Sequence, residues 1–414
     1  MLKIKQAVII GCAMASFTIS ANTMFSLQDA INIAIERDHR VVSAQAQIES
    51  AETEIKGAQR GYYPNIQASA GSGDNFGSNS YEVRATQMLY DWGKVKQRVN
   101  TRTAEAEIQI QRYKLAEIEA AINATQAYLD ISINQQYVTL YQAFHKNISY
   151  VHQIAEDRFN SSYSDSIETD RTKMEIARIE QAIALYQGEI EIAKQDFNEL
   201  IGLSADNLTL QTPPLLPLNA HIKQQPQGLN SLIVEAPDYL LALAESKVAR
   251  SDLALKEAER MPKINLEASW VRREIGGQWQ SDSSVGIQIR YDGLDNWFQP
   301  KTARSKLKSA EYSSKAIYRD LIRAARSINL KQPSIQQRIE SLKTQAQLAL
   351  VVKSSYQQQF LAGMRDLEDL LSIEREIFEA KRQAIELSNQ LISEQYMFAS
   401  QLGILTQLLN KAGA

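Results

Sequence analysis

Few residues of this 414-residue chain could do covalent or metal chemistry, and their spacing argues against it. The four histidines, His39, His145, His152 and His221, form no ligand cluster. His145 and His152 share a helix face at i and i+7, which places them about 10 Å apart along the axis. No glycine-rich phosphate loop is present, and the sole cysteine, Cys12, lies in an apolar N-terminal run. The residues therefore predict no cofactor, no metal site and no enzymatic activity. What remains is charge. Asp366, Glu368 and Asp369 stand together where they would open a helix and favour its dipole. Glu82, Arg84, Glu267 and Arg290 fall on one side of alternating segments, as charges facing water would. A net charge of −3 gives no electrostatic case for nucleic acid as a partner.

The elements that must carry these charges are long helices and short strands. Gly (17) and Pro (9) are scarce, a mix that favours extended helices. One helix is predicted from Ser26, a plausible N-cap with Asp29 at N3, to Tyr62, closed by Pro64. From Trp92 to about Asn160 there is no proline, which predicts a helix roughly 100 Å long. A second runs from Ile167 to Ile201. Their apolar positions recur three and four apart and are often small, which suits helix-on-helix contact. Strands are predicted over 65–71, 81–90, 263–273 and 284–291, with turn residues between them that include Gly276-Gly277. Helices over 237–260, 298–360 and 365–402 follow the same order, and Pro333 should bend or break the second of these.

The second half thus repeats the first. Pro64-Asn65-Ile66 is echoed by Pro262-Lys263-Ile264, and Tyr90-Asp91 by Tyr291-Asp292. Phe159 matches Phe360, Glu168 matches Asp369, and Ile201-Gly202 matches Leu402-Gly403, each 201 positions on. The chain divides into a signal peptide (1–21), a first repeat (22–202), a breaker-rich connector (203–236), a second repeat (237–403) and a C-terminal tail (404–414). Lys3 and Lys5 before the apolar run Ala7–Ile19 make the N-terminus a secretory signal with cleavage near Ala21. Ile9-Ile10-Gly11-Cys12 also loosely resembles a lipoprotein processing site. Past the signal no apolar run is long enough for a membrane helix.

Each strand is about eight to eleven residues and alternates apolar with polar, the pattern of membrane β-strands. Trp92, Trp270, Tyr291 and Trp297 lie at strand ends, where an aromatic girdle would be. A small soluble sheet packed on helices is the alternative. Four strands cannot close a barrel and open edges cannot exist in lipid, so a membrane reading requires several copies. Three would give twelve strands and six similar half-units.

The order of repeat, helix–Pro–strand junctions (Tyr63-Pro64-Asn65, Met261-Pro262-Lys263) and the Leu89-Tyr90-Asp91-Trp92-Gly93 junction resembles the TolC family of outer-membrane channels over the whole mature chain. The resemblance implies a mainly α fold with a β-barrel part: helical hairpins forming a periplasmic α-barrel below a trimeric, twelve-stranded outer-membrane β-barrel. It implies a homotrimer in contact with outer-membrane lipid. Its further partners would be a periplasmic adaptor and an inner-membrane ABC transporter. Tyr90-Asp91-Trp92-Gly93-Lys94-Val95 and the short tail look like the type I secretion branch, which exports large proteins such as adhesins. A multidrug-efflux duct and a periplasmic coiled-coil scaffold are the alternatives.

The resemblance also implies site residues. Relatives close the helical tube at the turns between long helices. Arg158-Phe159-Asn160-Ser161-Ser162 resembles the segment before the first turn, with Ser162 where the family usually has Gly. Phe360-Leu361-Ala362-Gly363-Met364-Arg365 resembles the second, its Gly363 kept and Phe360 replacing a tyrosine. Asp369 matches one of two pore-lining acids. Ser372 stands where the other would be, so Asp366 and Glu368 are candidates for the rest of an acidic ring, which would attract cations. Glu168 and Arg365 fall where relatives hold the entrance shut by ion pairs.

Overall fold

The computed structural model describes residues 24–72, 79–162, 165–204, 209–210, 213–224, 228–291 and 297–412. The predicted signal segment with Cys12, and Asp292 of the repeat, lie outside the described residues. The first copy contains β1 (Met24–Phe25), α1 (Leu27–Arg37), α2 (His39–Gln59), β2 (Asn65–Gly71), β3 (Ser80–Tyr90), α3 (Lys94–Asn160) and α4 (Ser166–Ile201). The connector holds β4 (Thr209–Leu210), α5 (Leu218–Gln224) and α6 (Leu229–Glu235). The second copy contains α7 (Pro237–Glu259), β5 (Lys263–Ile275), β6 (Gln278–Arg290), α8 (Gln299–Leu361), α9 (Leu367–Gln401) and α10 (Leu405–Ala412).

Local chemistry explains the boundaries. Ser26 forms a capping box with Asp29: its hydroxyl accepts the Asp29 N–H at 3.2 Å, and the Asp29 carboxylate accepts the Ser26 N–H at 3.3 Å. The expected single helix from Ser26 to Tyr62 is two helices, α1 and α2, followed by a 3-10 turn at Arg60–Tyr62. It divides at Asp38, whose extended backbone ends α1 while its carboxylate accepts the Arg40 N–H at 2.7 Å and starts α2. Strand β6 also begins earlier than the expected Ser284. Gly276 and Gly277, at φ 58° and 80°, make a two-residue turn, so pairing starts at Ile275↔Gln278.

Pro333 does not break α8, which is one helix of 63 residues. The lost hydrogen bond is offset by packing. Ile335 and Ile339, just past the proline, are buried against Leu387 and Leu391 of α9.

The four strands form one antiparallel sheet in the order β2-β3-β5-β6, so the two hairpins join through β3 and β5. Among the described residues the outer edges of β2 and β6 have no strand partner. Cross-strand register puts Ile66, Ala68, Val83, Ala85, Ile264, Leu266, Ala268, Val285, Ile287 and Ile289 on one face. Gln67, Ser69, Glu82, Arg84, Thr86, Glu267, Ser269 and Ser284 share the other. All four helix connections leave from the same end of the sheet, and both hairpin turns lie at the opposite end.

The long helices α3 and α8 run the length of the helical layer. Near the sheet the lateral order is α2-α3-α7-α8, and farther away it is α4-α3-α9-α8. The halves are tied where helix meets sheet: Lys94, almost fully buried, donates from Nζ to the Met261 carbonyl at 2.6 Å. At mid-height a core of Ile31, Ala124, Tyr128, Phe197, Ile233, Ala399 and Leu408 joins both copies to the connector. Two buried hydroxyl donors hold the strapping segments against it, Tyr128 to the Phe25 carbonyl and Tyr396 to the Pro214 carbonyl, each at 2.9 Å. Burial raises the Tyr396 phenol well above its usual pKa, so it stays a donor.

Candidate functional site

The expected site residues gather at the helical end farthest from the sheet, around the α3–α4 and α8–α9 turns. The helices are held together there by Phe144, Ile148, Val151, Ile179, Phe360, Leu370, Leu371, Ile377 and Phe378. Phe144 stacks on Phe378 at 4.4 Å between ring centroids. With the apolar positions committed to this core, the long charged side chains meet at the rim.

The two turns are alike in backbone and differ in side chain. In the second, Gly363 has φ 72°, its N–H bonds the Phe360 carbonyl at 3.0 Å, and the Met364 N–H bonds the Gln359 carbonyl at 2.8 Å. This is a Schellman cap on α8. In the first, Ser162 occupies the same position at φ 60°, with its N–H on the Phe159 carbonyl at 2.9 Å. A side chain there carries the strain of the left-handed region that Gly363 avoids.

The expected Glu168–Arg365 pair is not made within the chain. Glu168 instead pairs with Arg158 at 3.6 Å. The Arg158 guanidinium also donates to the Phe360 carbonyl at 2.8 Å and lies 4.5 Å from the centroid of its ring. One arginine thus ties α3 to α4 and α8. Arg365 is held by residues of its own hairpin: Gln359 at 2.6 Å, Asp369 at 3.0 Å and the Tyr356 ring at 3.6 Å. The physical reason is local reach. Asp369 follows Arg365 by one helical turn and offers it a carboxylate at i+4. Phe360 is fully buried beneath Arg158, in keeping with a packing role.

The three candidate ring carboxylates differ in surroundings. Glu368 sits between Arg171 and Arg375, at 3.2 Å from each. Asp369 is taken by Arg365. Asp366 stands at the N-cap position of α9, exposed, and among the described residues has no ion-pair partner. Of the three, Asp366 keeps an uncompensated charge.

Sequence reasoning missed the buried part of the network. Arg375 binds Glu175 through both carboxylate oxygens, at 3.2 Å each, and these bonds push its guanidinium further above its usual pKa. Lys353 pairs with the buried Glu374 at 2.5 Å. A legible sign existed: Glu175 and Glu374 lie on buried helix faces that are otherwise uncharged, among Thr172 and Ile179 and among Leu370, Leu371 and Ile377. A carboxylate there needs a cation.

At the other end of the molecule, Arg84 on the polar sheet face bridges Glu82 at 2.6 Å and Glu267 at 3.0 Å. Aromatic side chains mark both margins of the apolar face. At the helix-proximal margin Tyr90 meets Trp92 at 4.9 Å, and Arg260 stacks on Trp297 at 4.0 Å. At the turn-proximal margin Tyr81 stacks on Trp279 at 5.5 Å, with Arg272 over the Trp279 ring at 5.2 Å.

Comparison with known proteins agrees with this layout. Residues 30–203 match the family described as outer membrane efflux protein. The chain is 20% identical over 394 residues to outer membrane protein TolC of Vibrio cholerae, covering 86% of each. Among solved structures, the outer membrane protein VceC of Vibrio cholerae superposes with a TM-score of 0.78 at 15% identity, covering 91% of this chain and 96% of VceC. The Campylobacter jejuni CmeC outer membrane channel gives 0.76 at 11% identity, over 98% and 94%. The open state of the Neisseria gonorrhoeae MtrE outer membrane channel gives 0.70 at 18% identity, over 92% and 88%.

Proposed function

We propose, from the premise that this chain is a TolC-family channel protein of the outer membrane with a periplasmic helical part, that it works as the trimeric exit duct of an export system. The observation that carries the proposal is the pair of unfinished edges. Among the described residues the sheet ends in the unpaired edges of β2 and β6, and an apolar-faced sheet in lipid cannot keep open edges. The helical layer ends in α4 and α8. Along one straight stripe of α4, Ile167, Met174, Leu185 and Ile192 are all more than half exposed. On α8, Tyr312, Leu330 and Leu348 recur at 18-residue spacing, five full turns, and are equally bare. Both layers are completed together if β6 and α8 of one copy meet β2 and α4 of the next. Three copies of four strands make a closed, even-numbered barrel with the polar face inward.

In this reading Arg84, Glu82 and Glu267 line a wet lumen, and the helical tips form the periplasmic entrance. Asp366 supplies the entrance carboxylate ring, with Glu368 and Asp369 compensated beside it. Arg158 and Glu168 brace the first turn, and Arg365 braces the second. Opening moves the tips, where a periplasmic adaptor and an inner-membrane transporter would act. The duct is a passage and makes no bond.

For cargo, we propose the type I secretion branch, with an ABC transporter as the energy source and a large protein such as an adhesin as substrate. The junction Tyr90-Asp91-Trp92-Gly93-Lys94-Val95 supports it. There the Asp91 carboxylate accepts the N–H groups of Gly93 and Val95, at 2.9 and 2.7 Å, and starts α3. The second reading, small-molecule efflux, is favoured by the matched family's own description. Deleting the gene separates them. Retention of a large secreted protein inside the cell, with unchanged sensitivity to small toxic compounds, supports secretion; the reverse result supports efflux.

A further inference from the structure

The apolar face of the sheet ends in a cation that no described residue neutralises. Running from the helix-proximal end, β5 places Ile264, Leu266, Ala268 and Trp270 on that face, and the next residue on it is Arg272. Tyr81 of β3 lies directly opposite Arg272 on one side and Ser281 of β6 on the other. Trp279, one step along β6 on the same face, stacks on Tyr81 and takes the Arg272 guanidinium over its ring. Among the described residues Arg272 has no carboxylate within salt-bridge reach. The nearest acid on this face, Glu274, is engaged by the Asn79 side-chain amide at 2.7 Å.

A guanidinium that faces outward at the end of a lipid-covered band needs an anion from outside the protein. Its planar fork matches the oxygens of a phosphate. Exposed aromatic rings beside it are suited to the level where hydrocarbon gives way to headgroups. The hairpin turns lie away from the helices, so this margin is the one facing the outer leaflet.

Resting on the membrane placement above, we propose that this margin is a binding site for the phosphorylated headgroup of an outer-leaflet glycolipid. Arg272 holds the phosphate, and Tyr81 and Trp279 present flat faces to the adjoining sugar. Ser281, directly opposite Arg272 on the outward face, gives the headgroup hydroxyls a further partner.

The test uses the full-length protein extracted in mild detergent. Bisphosphorylated lipid A and the same lipid stripped of its phosphates are offered in competition, and the lipid retained per oligomer is counted by native mass spectrometry. The expected result is a several-fold preference for the phosphorylated lipid that Arg272→Gln abolishes. Arg273→Gln, on the opposite face of the same strand, should keep it. An unchanged preference in Arg272→Gln would overturn the proposal, and so would an equal loss in Arg273→Gln. Displacement of the lipid by millimolar inorganic phosphate would mean a bare phosphate site and overturn the lipid assignment. A heat-labile oligomer recovered from the outer membrane for Arg272→Gln shows that the barrel reading stands whatever the lipid result. Absence of the wild-type chain from that membrane would sink both.

Discussion

Arg375 on α9 and Glu175 on α4 are joined by two parallel hydrogen bonds, Nε to Oε1 and Nη2 to Oε2, each at 3.2 Å. The pair crosses from one helical hairpin to the other, and Glu175 is buried. Replacing Arg375 by Gln removes this bidentate partner and leaves the carboxylate only the exposed Arg178, at 3.4 Å from one oxygen. This should cost about 2–3 kcal/mol locally and loosen the tips. Faster hydrogen exchange in residues 166–180 would register it. Glu175→Gln combined with Arg375→Gln should recover part of the protection, and no recovery would mean the two residues act independently.

The two turn arginines should differ in effect on the channel. Arg158 connects three helices, α3, α4 and α8, whereas Arg365 is satisfied within its own hairpin. In planar bilayers, Arg158→Ser should raise single-channel conductance more than Arg365→Ser. Equal increases would show that Arg365 has a partner on a neighbouring copy.

Ser162 offers a stabilising change. Its left-handed backbone, φ 60°, strains any side chain, and Ser162→Gly should stabilise the first turn by about 1 kcal/mol. Gly363→Ser should cost a similar amount. A Cβ at Gly363 meets nothing within 4 Å, so the penalty is conformational alone. Amide exchange at the C-terminal turns of α3 and α8 would check both.

Asp38 should make the α1–α2 junction acid-sensitive. Hydrogen bonds from the Arg40 side chain hold its carboxyl below the usual pKa. The contribution is therefore full above the unfolded value, about 3.9, and is lost as the pH falls through the lower folded value. Protection of the first turn of α2 should drop in that acid window. In Asp38→Asn, which keeps an oxygen for the Arg40 N–H, the drop should be absent.

Much of the architecture was legible because the periods are simple. Ser26 with Asp29, Pro64, Gly202 and Gly363 are local signals, and each sits at the element end it announces. The alternation in 81–90 fixed the faces of β3 because one face carries Val83 and Ala85 and the other Glu82 and Arg84. The start of β6 was hidden: Gln278–Ser283 is mostly polar on both faces, so alternation carries no signal there, and only pairing with β5 reveals it. The break at Asp38 was hidden for the opposite reason, since the apolar spacing continues across it. Ion-pair partners were the least legible. Long side chains choose among acids one turn away and acids on other helices, and sequence spacing alone does not rank Asp369 against Glu168 for Arg365.

The central claim is that this chain closes its open edges only with copies of itself. Outer membranes extracted in mild detergent, and measured by native mass spectrometry before and after heating, test it most directly. Three chains per particle, separating to single chains on heating, is the predicted result. Single chains in the unheated extract, or recovery of the protein in the soluble periplasmic fraction, would contradict it.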